Sequence, residues 1–297
     1  MQNCNKTKHV WKKVNSETLM KSVFWSCAAL TVISITFIGG FILFNGLPFF
    51  AHTNIIDFLL GEYWMPSGEI FGIFPMLVAS FCGTLGAVVI GVVIGISTAI
   101  VITQILPEKP ANILSKTIDL LAGIPSVIYG FFGLMVIVPL IKKYFGGISG
   151  GLSLLAVIII LSFMILPTII RMTEVSLKAV PNEFKEAAYA LGATPLQYIF
   201  KVQLRAAKSG IITGVILGIG RALGETMAVM LVAGNSPLIP ESILSPVRTV
   251  TANIAMEMGY ASGVHQQALF ATGVVLFVII ISINVGMQFL IRRLERS

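Results

Sequence analysis

The sequence predicts an all-α integral membrane protein with six transmembrane helices, and three observations carry that prediction. Of its 297 residues, 56% are hydrophobic and 11% are charged, against roughly 25% charged in a soluble domain. Apolar runs of the length that crosses ~30 Å of hydrocarbon, about 20 residues, recur six times, at 22–46, 72–104, 120–141, 152–170, 210–234 and 266–291. Finally, the basic residues gather between these runs, and almost all of them fall on one side.

The first run is too long for the apolar region of a secretory signal and has no small-residue cleavage site after it, so it reads as a retained helix. The second is long enough to tilt or to project beyond the bilayer. In the third, Gly123, Pro125 and Gly130 predict a break or kink near its start. The fourth and sixth are ordinary apolar spans. The fifth, 210–234, has 25 residues and two charges, Arg221 and Glu225.

Lysine and arginine set the orientation. The N-terminal segment, the loop after the second span, the loop after the fourth and the C-terminal segment hold sixteen of them, and the opposite side holds Lys142, Lys143 and Arg248. By the positive-inside rule both termini are cytoplasmic. The predicted division is a cytoplasmic tail at 1–21, one transmembrane domain at 22–291 and a cytoplasmic tail at 292–297. Several other functions are disfavoured. The net charge of +7 forms no basic patch with interleaved aromatics, so nucleic acid is not an expected partner; the lipid bilayer is. Cys4, Cys27 and Cys82 are widely spaced, which predicts small packing residues rather than a disulfide or metal site. His9, His52 and His265 are equally scattered, and no phosphate-binding GxxxxGK[ST] occurs. No cofactor or metal is expected, and the chain is not expected to be an enzyme that hydrolyses nucleotide.

The segment 180–210, VPNEFKEAAYALGATPLQYIFKVQLRAAKSG, is too rich in helix formers for a plain connection. Pro181 suits a first helical turn, Gly192 suits a left-handed helix end, and Thr194 followed by Pro195 suits the start of a second helix running towards Leu204. Such a helix–turn–helix is either an amphipathic pair lying on the membrane face or a docking element for a cytoplasmic partner.

In the fifth span a rotation of about 100° per residue puts Gly210, Gly214, Gly218, Arg221 and Glu225 on one stripe. Glycines spaced by four admit a close neighbouring helix, and two charges four apart on one helix reach each other. A charge near the midplane costs at least ~2.5–3.5 kcal/mol on insertion scales. Two readings follow. Arg221 and Glu225 form a structural ion pair, or they line a polar path on which Arg221 meets an anion and Glu225 is its resting counter-ion.

Three stretches carry a resemblance. Glu186, Ala187 and Ala188 with Gly192 match the EAA loop of ABC-importer permeases, a loop of about 175–208 here. The Pro that ends that family's pattern is replaced by Arg205, after Val202, Gln203 and Leu204. RALGETMAVMLVAGN (221–235) and LLAGIPSVIYGF (120–131) resemble the PstC-type permease of the phosphate-specific ABC importer, a binding-protein-dependent transport system inner membrane component of the MetI-like family. The resemblance implies the MetI-like, type I ABC-importer fold, and a permease that conducts inorganic phosphate across a bacterial inner membrane. It implies Arg221 and Glu225 on the translocation path and Glu186, Ala187, Ala188 and Gly192 in the coupling loop. It also implies partners: a homologous PstA-type permease, a PstB-type ATPase dimer that hydrolyses the ATP, and a PstS-type extracytoplasmic phosphate-binding protein. The alternatives are a permease for another oxyanion, the PstA-type sister subunit, and a secondary transporter or channel, for which internal repeats would be expected.

Overall fold

The computed structural model describes the backbone of residues 4–146 and 150–295 and the side chains of 17–146, 150–289, 291 and 293. The side chains of Cys4, Lys6, Lys8, His9, Lys12, Lys13, Arg292 and Arg296, which enter the reading of the two tails, lie outside the described residues.

A long helix α1 (Cys4–Gly46) crosses first and ends in a 3-10 turn, Leu47–Ala51, with Pro48 as its second residue. A small cap follows, made of α2 (Ile55–Leu60) and a hairpin of β1 (Trp64–Met65) and β2 (Ile70–Phe71). Phe49 is buried there against Phe58 in a tilted contact and against Phe71 in a T-shaped one. The cap closes on itself where Gly61 and Gly72 meet backbone to backbone, leaving no room for a Cβ on either. The second span is α3 (Phe74–Ile100), extended by a π-helical turn, Val101–Ile105.

The third span departs from its expected bounds of 120–141. A separate helix α4 (Glu108–Ala122) ends at Gly123, and the crossing is the continuous run Ser126–Phe145. It consists of α5 (Ser126–Phe132), a π-helical turn Gly133–Ile137 and α6 (Val138–Phe145). Pro125 makes the break, because it forces the chain extended before a new helix begins. Gly130 breaks nothing and lies inside α5.

The fourth span also exceeds its expected 152–170. Helix α7 (Leu154–Lys178) passes Pro167 without ending, so Arg171 and Lys178 stand on the helix rather than in a loop. It is the centre of the bundle, with 61% of its most apolar stretch buried, against 6% in α1. Ile160, Met164, Ile165 and Ile169 form the core against α3 and the fifth-span helices.

After α7 the loop folds as helix–turn–helix. Helix α8 (Asn182–Ala190) starts just after Pro181 rather than on it, and Gly192 follows it at φ +79°. Thr194 opens α9 (Pro195–Gln197) with a capping box. Its hydroxyl accepts from the Gln197 N–H, and the Gln197 side chain accepts from the Thr194 N–H. That satisfies two otherwise orphaned donors. A π-helical turn, Tyr198–Gln203, and α10 (Leu204–Ala206) complete the second arm.

The fifth span is the largest departure. The run 210–234 is two helices, α11 (Lys208–Gly224) and α12 (Met227–Val232), separated at Glu225 and Thr226. The chain also bends by 69° at Ala207, where the loop's second arm meets α11. A short helix α13 (Val250–Glu257) precedes the last span α14 (Gly263–Glu295). Among the described residues five helices are long and apolar enough to cross a membrane, and the bent pair Pro195–Ala206 with Lys208–Gly224 is a sixth candidate. Cys27 and Cys82 are free and exposed.

Candidate functional site: a broken span holding two separated charges

Helix α11 seats on α7 through the predicted glycine stripe. A Cβ on Gly210 would overlap Ser176, one on Gly214 would come within 2.7 Å of the Met172 Cβ, and Gly218 faces Ile169. The next residue on that stripe is Arg221. Its Nη1 lies 3.5 Å from the Thr168 Oγ1 on α7, and its guanidinium is also within Coulombic range of the Tyr129 phenol on α5.

The expected pairing of Arg221 with Glu225 does not occur. Four residues of spacing bring two side chains together only if the helix continues, and α11 ends at Gly224. Glu225 is extended, at ψ 133°, and turns off the stripe. No ion pair joins the two among the described residues. Instead the Glu225 Oε1 accepts a hydrogen bond of 3.0 Å from the Ala228 N–H in the first turn of α12, and its carbonyl oxygen accepts one of 2.7 Å from the Thr251 hydroxyl on α13.

The break itself explains why two charges are tolerated in an apolar run. Arg221 lies in the last turn of α11, next to the unpaired carbonyls that make a helix C-terminus negative. Glu225 lies at the start of α12, next to the unpaired N–H groups that make an N-terminus positive. Each end is worth about 0.3–1 kcal/mol to the charge it faces. Splitting the helix therefore gives each charge its own compensation, and the two need not pair. It leaves Arg221, half-buried, with several of its N–H donors unspent.

The third-span motif supports this arrangement. The Tyr129 hydroxyl donates to the Leu121 carbonyl oxygen at 2.9 Å, bridging the Pro125 break. A Cβ on Gly130 would come within 2.7 Å of the Ala228 Cα. Gly130 is thus the point at which α5 lies against the first turn of α12, beside the Glu225 cap.

Two further charged clusters bracket the site, and neither was legible as a cluster. Glu174, 1% exposed, accepts from Lys178 Nζ at 2.6 Å, from Arg171 Nη1 at 2.8 Å and from the Ser115 hydroxyl of α4. Arg171 Nε also reaches Asp119 on α4 at 2.7 Å. At the other end of the bundle, Glu257 accepts from Arg248 at 2.7 Å and from the Trp64 indole of the cap at 2.8 Å, and its Oε2 is 2.8 Å from His265 Nε2. No group of metal-binding side chains occurs among the described residues.

The coupling-loop residues are placed together. Glu186, Ala187 and Gly192 are exposed, while Ala188 is buried against Tyr198 and Ile199 of the second arm. Leu191 at 89% exposure, Leu196 and Phe200 leave an uncovered apolar surface around them. A cavity of 380 Å³ beneath, lined by Ser176, Pro181, Phe184 and Ser209, separates α8 from the feet of α7 and α11.

Residues 91–296 match the family described as "Binding-protein-dependent transport system inner membrane component". The chain is 38% identical over 264 residues to the "Probable ABC transporter permease protein YqgH" of Bacillus subtilis, covering 87% of this chain and 85% of that one. It is 35% identical to the "Phosphate transport system permease protein PstC" of Pasteurella multocida, covering 81% of each chain. Among solved structures it shares a fold with the inward-facing MetNI methionine ABC transporter, at a TM-score of 0.61 and 20% identity over 78% of this chain and 99% of that one.

Proposed function

This chain belongs to the binding-protein-dependent transport system inner membrane components, and we propose that within them it is the PstC-type permease of a phosphate importer. The observation that carries the reading is the half-buried Arg221 at the broken fifth span, a cation with no carboxylate within ion-pair distance among the described residues. A planar guanidinium offers paired donors to a tetrahedral oxyanion. As a family member the chain is a multi-pass ABC importer permease, not the enzyme, and works with an ATPase and a substrate-binding protein. The finer assignment is a PstA-type second permease, a PstB-type ATPase dimer and a PstS-type phosphate-binding protein.

In the proposed cycle one transmembrane domain, 22–291, lies between tails at 1–21 and 292–297, both cytoplasmic. The ATPases grip the exposed surface around Glu186, Ala187 and Gly192. Closure on ATP moves α8 and α10, and the bend at Ala207 passes that movement into α11 and so to Arg221. Glu225 serves as the cap that keeps the break open, rather than as the partner of Arg221.

The test is phosphate uptake by cells producing the importer with Arg221→Ala. Uptake is expected to fall at least a hundredfold, the loss of about 3 kcal/mol of charge-assisted binding, with protein in the membrane at the normal level. Full uptake by that variant would sink the pathway role.

A further inference from the structure

Many helical hydroxyls in this chain return their proton to the carbonyl one turn back, although Thr173, buried on α7, has no hydrogen-bond partner among the described residues. On α7 itself Ser162 donates to the Ile158 oxygen at 2.7 Å and Ser176 to the Met172 oxygen at 2.6 Å. Thr98, Thr117, Thr213 and Thr272 do the same on other helices. Thr168 does not. Its one hydrogen bond among the described residues is the long contact it accepts from Arg221 Nη1 at 3.5 Å. No acceptor takes its proton among the described residues, and the side chain is half-buried.

That placement supplies what a lone arginine lacks. A guanidinium has five donors and no acceptor, whereas a threonine hydroxyl is a donor and an acceptor at once. Phosphate near neutral pH always carries at least one proton, so it presents oxygens that accept and a hydroxyl that donates. At 3.5 Å the contact between Arg221 and Thr168 is loose, so an oxyanion oxygen displaces it at little cost.

We propose that Thr168 is a second binding residue of the path, its hydroxyl completing with Arg221 a two-residue site for a protonated tetrahedral oxyanion. This rests on the reading of Arg221 as the pathway cation. The site spans α7 and α11, the two helices that the glycine stripe brings into contact. Movement of α11 on α7 therefore opens or closes it. Thr168 accepts from or donates to the passing anion, and Arg221 holds its charge.

The experiment uses the assembled importer reconstituted with its ATPase and binding protein, and measures phosphate uptake and ATP hydrolysis in the same vesicles. Thr168→Val keeps the shape and removes the hydroxyl; Thr168→Ser keeps the hydroxyl. The inference predicts uptake about tenfold lower in Thr168→Val, the loss of one hydrogen bond to a charged group. Hydrolysis stimulated by the loaded binding protein stays near the unsubstituted level, and Thr168→Ser restores uptake. Unchanged uptake in Thr168→Val, or uptake and hydrolysis falling together, overturns it. Arg221→Ala is run alongside. If it abolishes uptake while Thr168→Val does not, only this inference fails; if it transports normally, the pathway reading fails with it.

Discussion

Glu174 and Arg221 are both ionised groups on apolar helices of the same bundle, and they are treated in opposite ways. Glu174 is almost fully buried and both of its oxygens are saturated, by Arg171, Lys178 and Ser115. Arg221 is half-buried and has one contact of 3.5 Å to a neutral hydroxyl. A buried charge with every lone pair occupied fixes structure, since removing any partner strands the rest. A charge left with unspent donors is free to take a transient partner, which is the role proposed for Arg221. On that proposal the contrast separates scaffold from path within one helix pair. Glu257, saturated by Arg248, Trp64 and His265, belongs with Glu174.

The contrast breaks most visibly at Glu174. Glu174→Ala leaves Arg171 and Lys178 without their common anion, while Arg171 still reaches Asp119 on α4. Breaking a buried ion pair costs about 3–5 kcal/mol. Arg171 and Lys178 keep 39% and 59% of their side chains in contact with solvent, so a loss of about 3 kcal/mol, at the low end, is expected. It would appear as a lower unfolding temperature of the purified importer, with uptake per folded molecule preserved. A variant as stable as the original, but unable to transport, would put Glu174 on the path.

Next in size is the contact that brings the two helices together. Gly214→Val sets a side chain against Met172, where even a Cβ comes within 2.7 Å of the Met172 Cβ. Overpacking of this kind costs about 1–3 kcal/mol. Because it pushes α11 away from α7, it should also lengthen the separation of Arg221 from Thr168. Uptake is therefore expected to fall by more than stability does, measured as rate per folded molecule. Gly220, on the opposite side of α11, has nothing within 4 Å of its would-be Cβ. Gly220→Ala serves as the control and should leave both quantities unchanged.

What could be read beforehand follows the same division between local and distant causes. The helix–turn–helix at 180–210 was legible because its signals are local: a glycine at a helix end, and a threonine followed by a proline at a helix start. The glycine stripe was legible because it depends only on helical period. The break in the fifth span was missed because the run is long enough for one crossing and contains no proline. Its signal was present in Gly224–Glu225–Thr226, a glycine stop followed by an acidic residue and a hydroxyl that suit a new helix start. The Glu257 cluster draws on segments as far apart as Trp64 and His265, and no spacing announces a contact across 193 positions. Thr168 shows no motif at all; only the approach of α11 reveals which face of α7 it occupies.

The smallest expected effect tests the contrast most finely, because it asks what Glu225 is for. As a counter-ion to Arg221 it would need its negative charge. As a cap it needs only an oxygen that accepts from the Ala228 N–H, at 3.0 Å. Glu225→Gln keeps an acceptor of the same reach and loses the charge, so the cap reading predicts a stability change at the low end of the range of about 0.3–1 kcal/mol that a helix end contributes to a charge. Glu225→Ala removes the acceptor and should cost about 1 kcal/mol, the usual worth of an N-terminal cap. Transport should follow the same order, near normal in Glu225→Gln and lower in Glu225→Ala, because α12 then frays where Gly130 of α5 rests on Ala228. The counter-ion reading predicts the reverse: Gln and Ala equally damaging, and both relieved when Arg221 is also replaced. Measuring uptake in the two single variants and in each combined with Arg221→Ala decides between them. With the cap intact and Arg221 absent, Glu225→Gln should make nothing better.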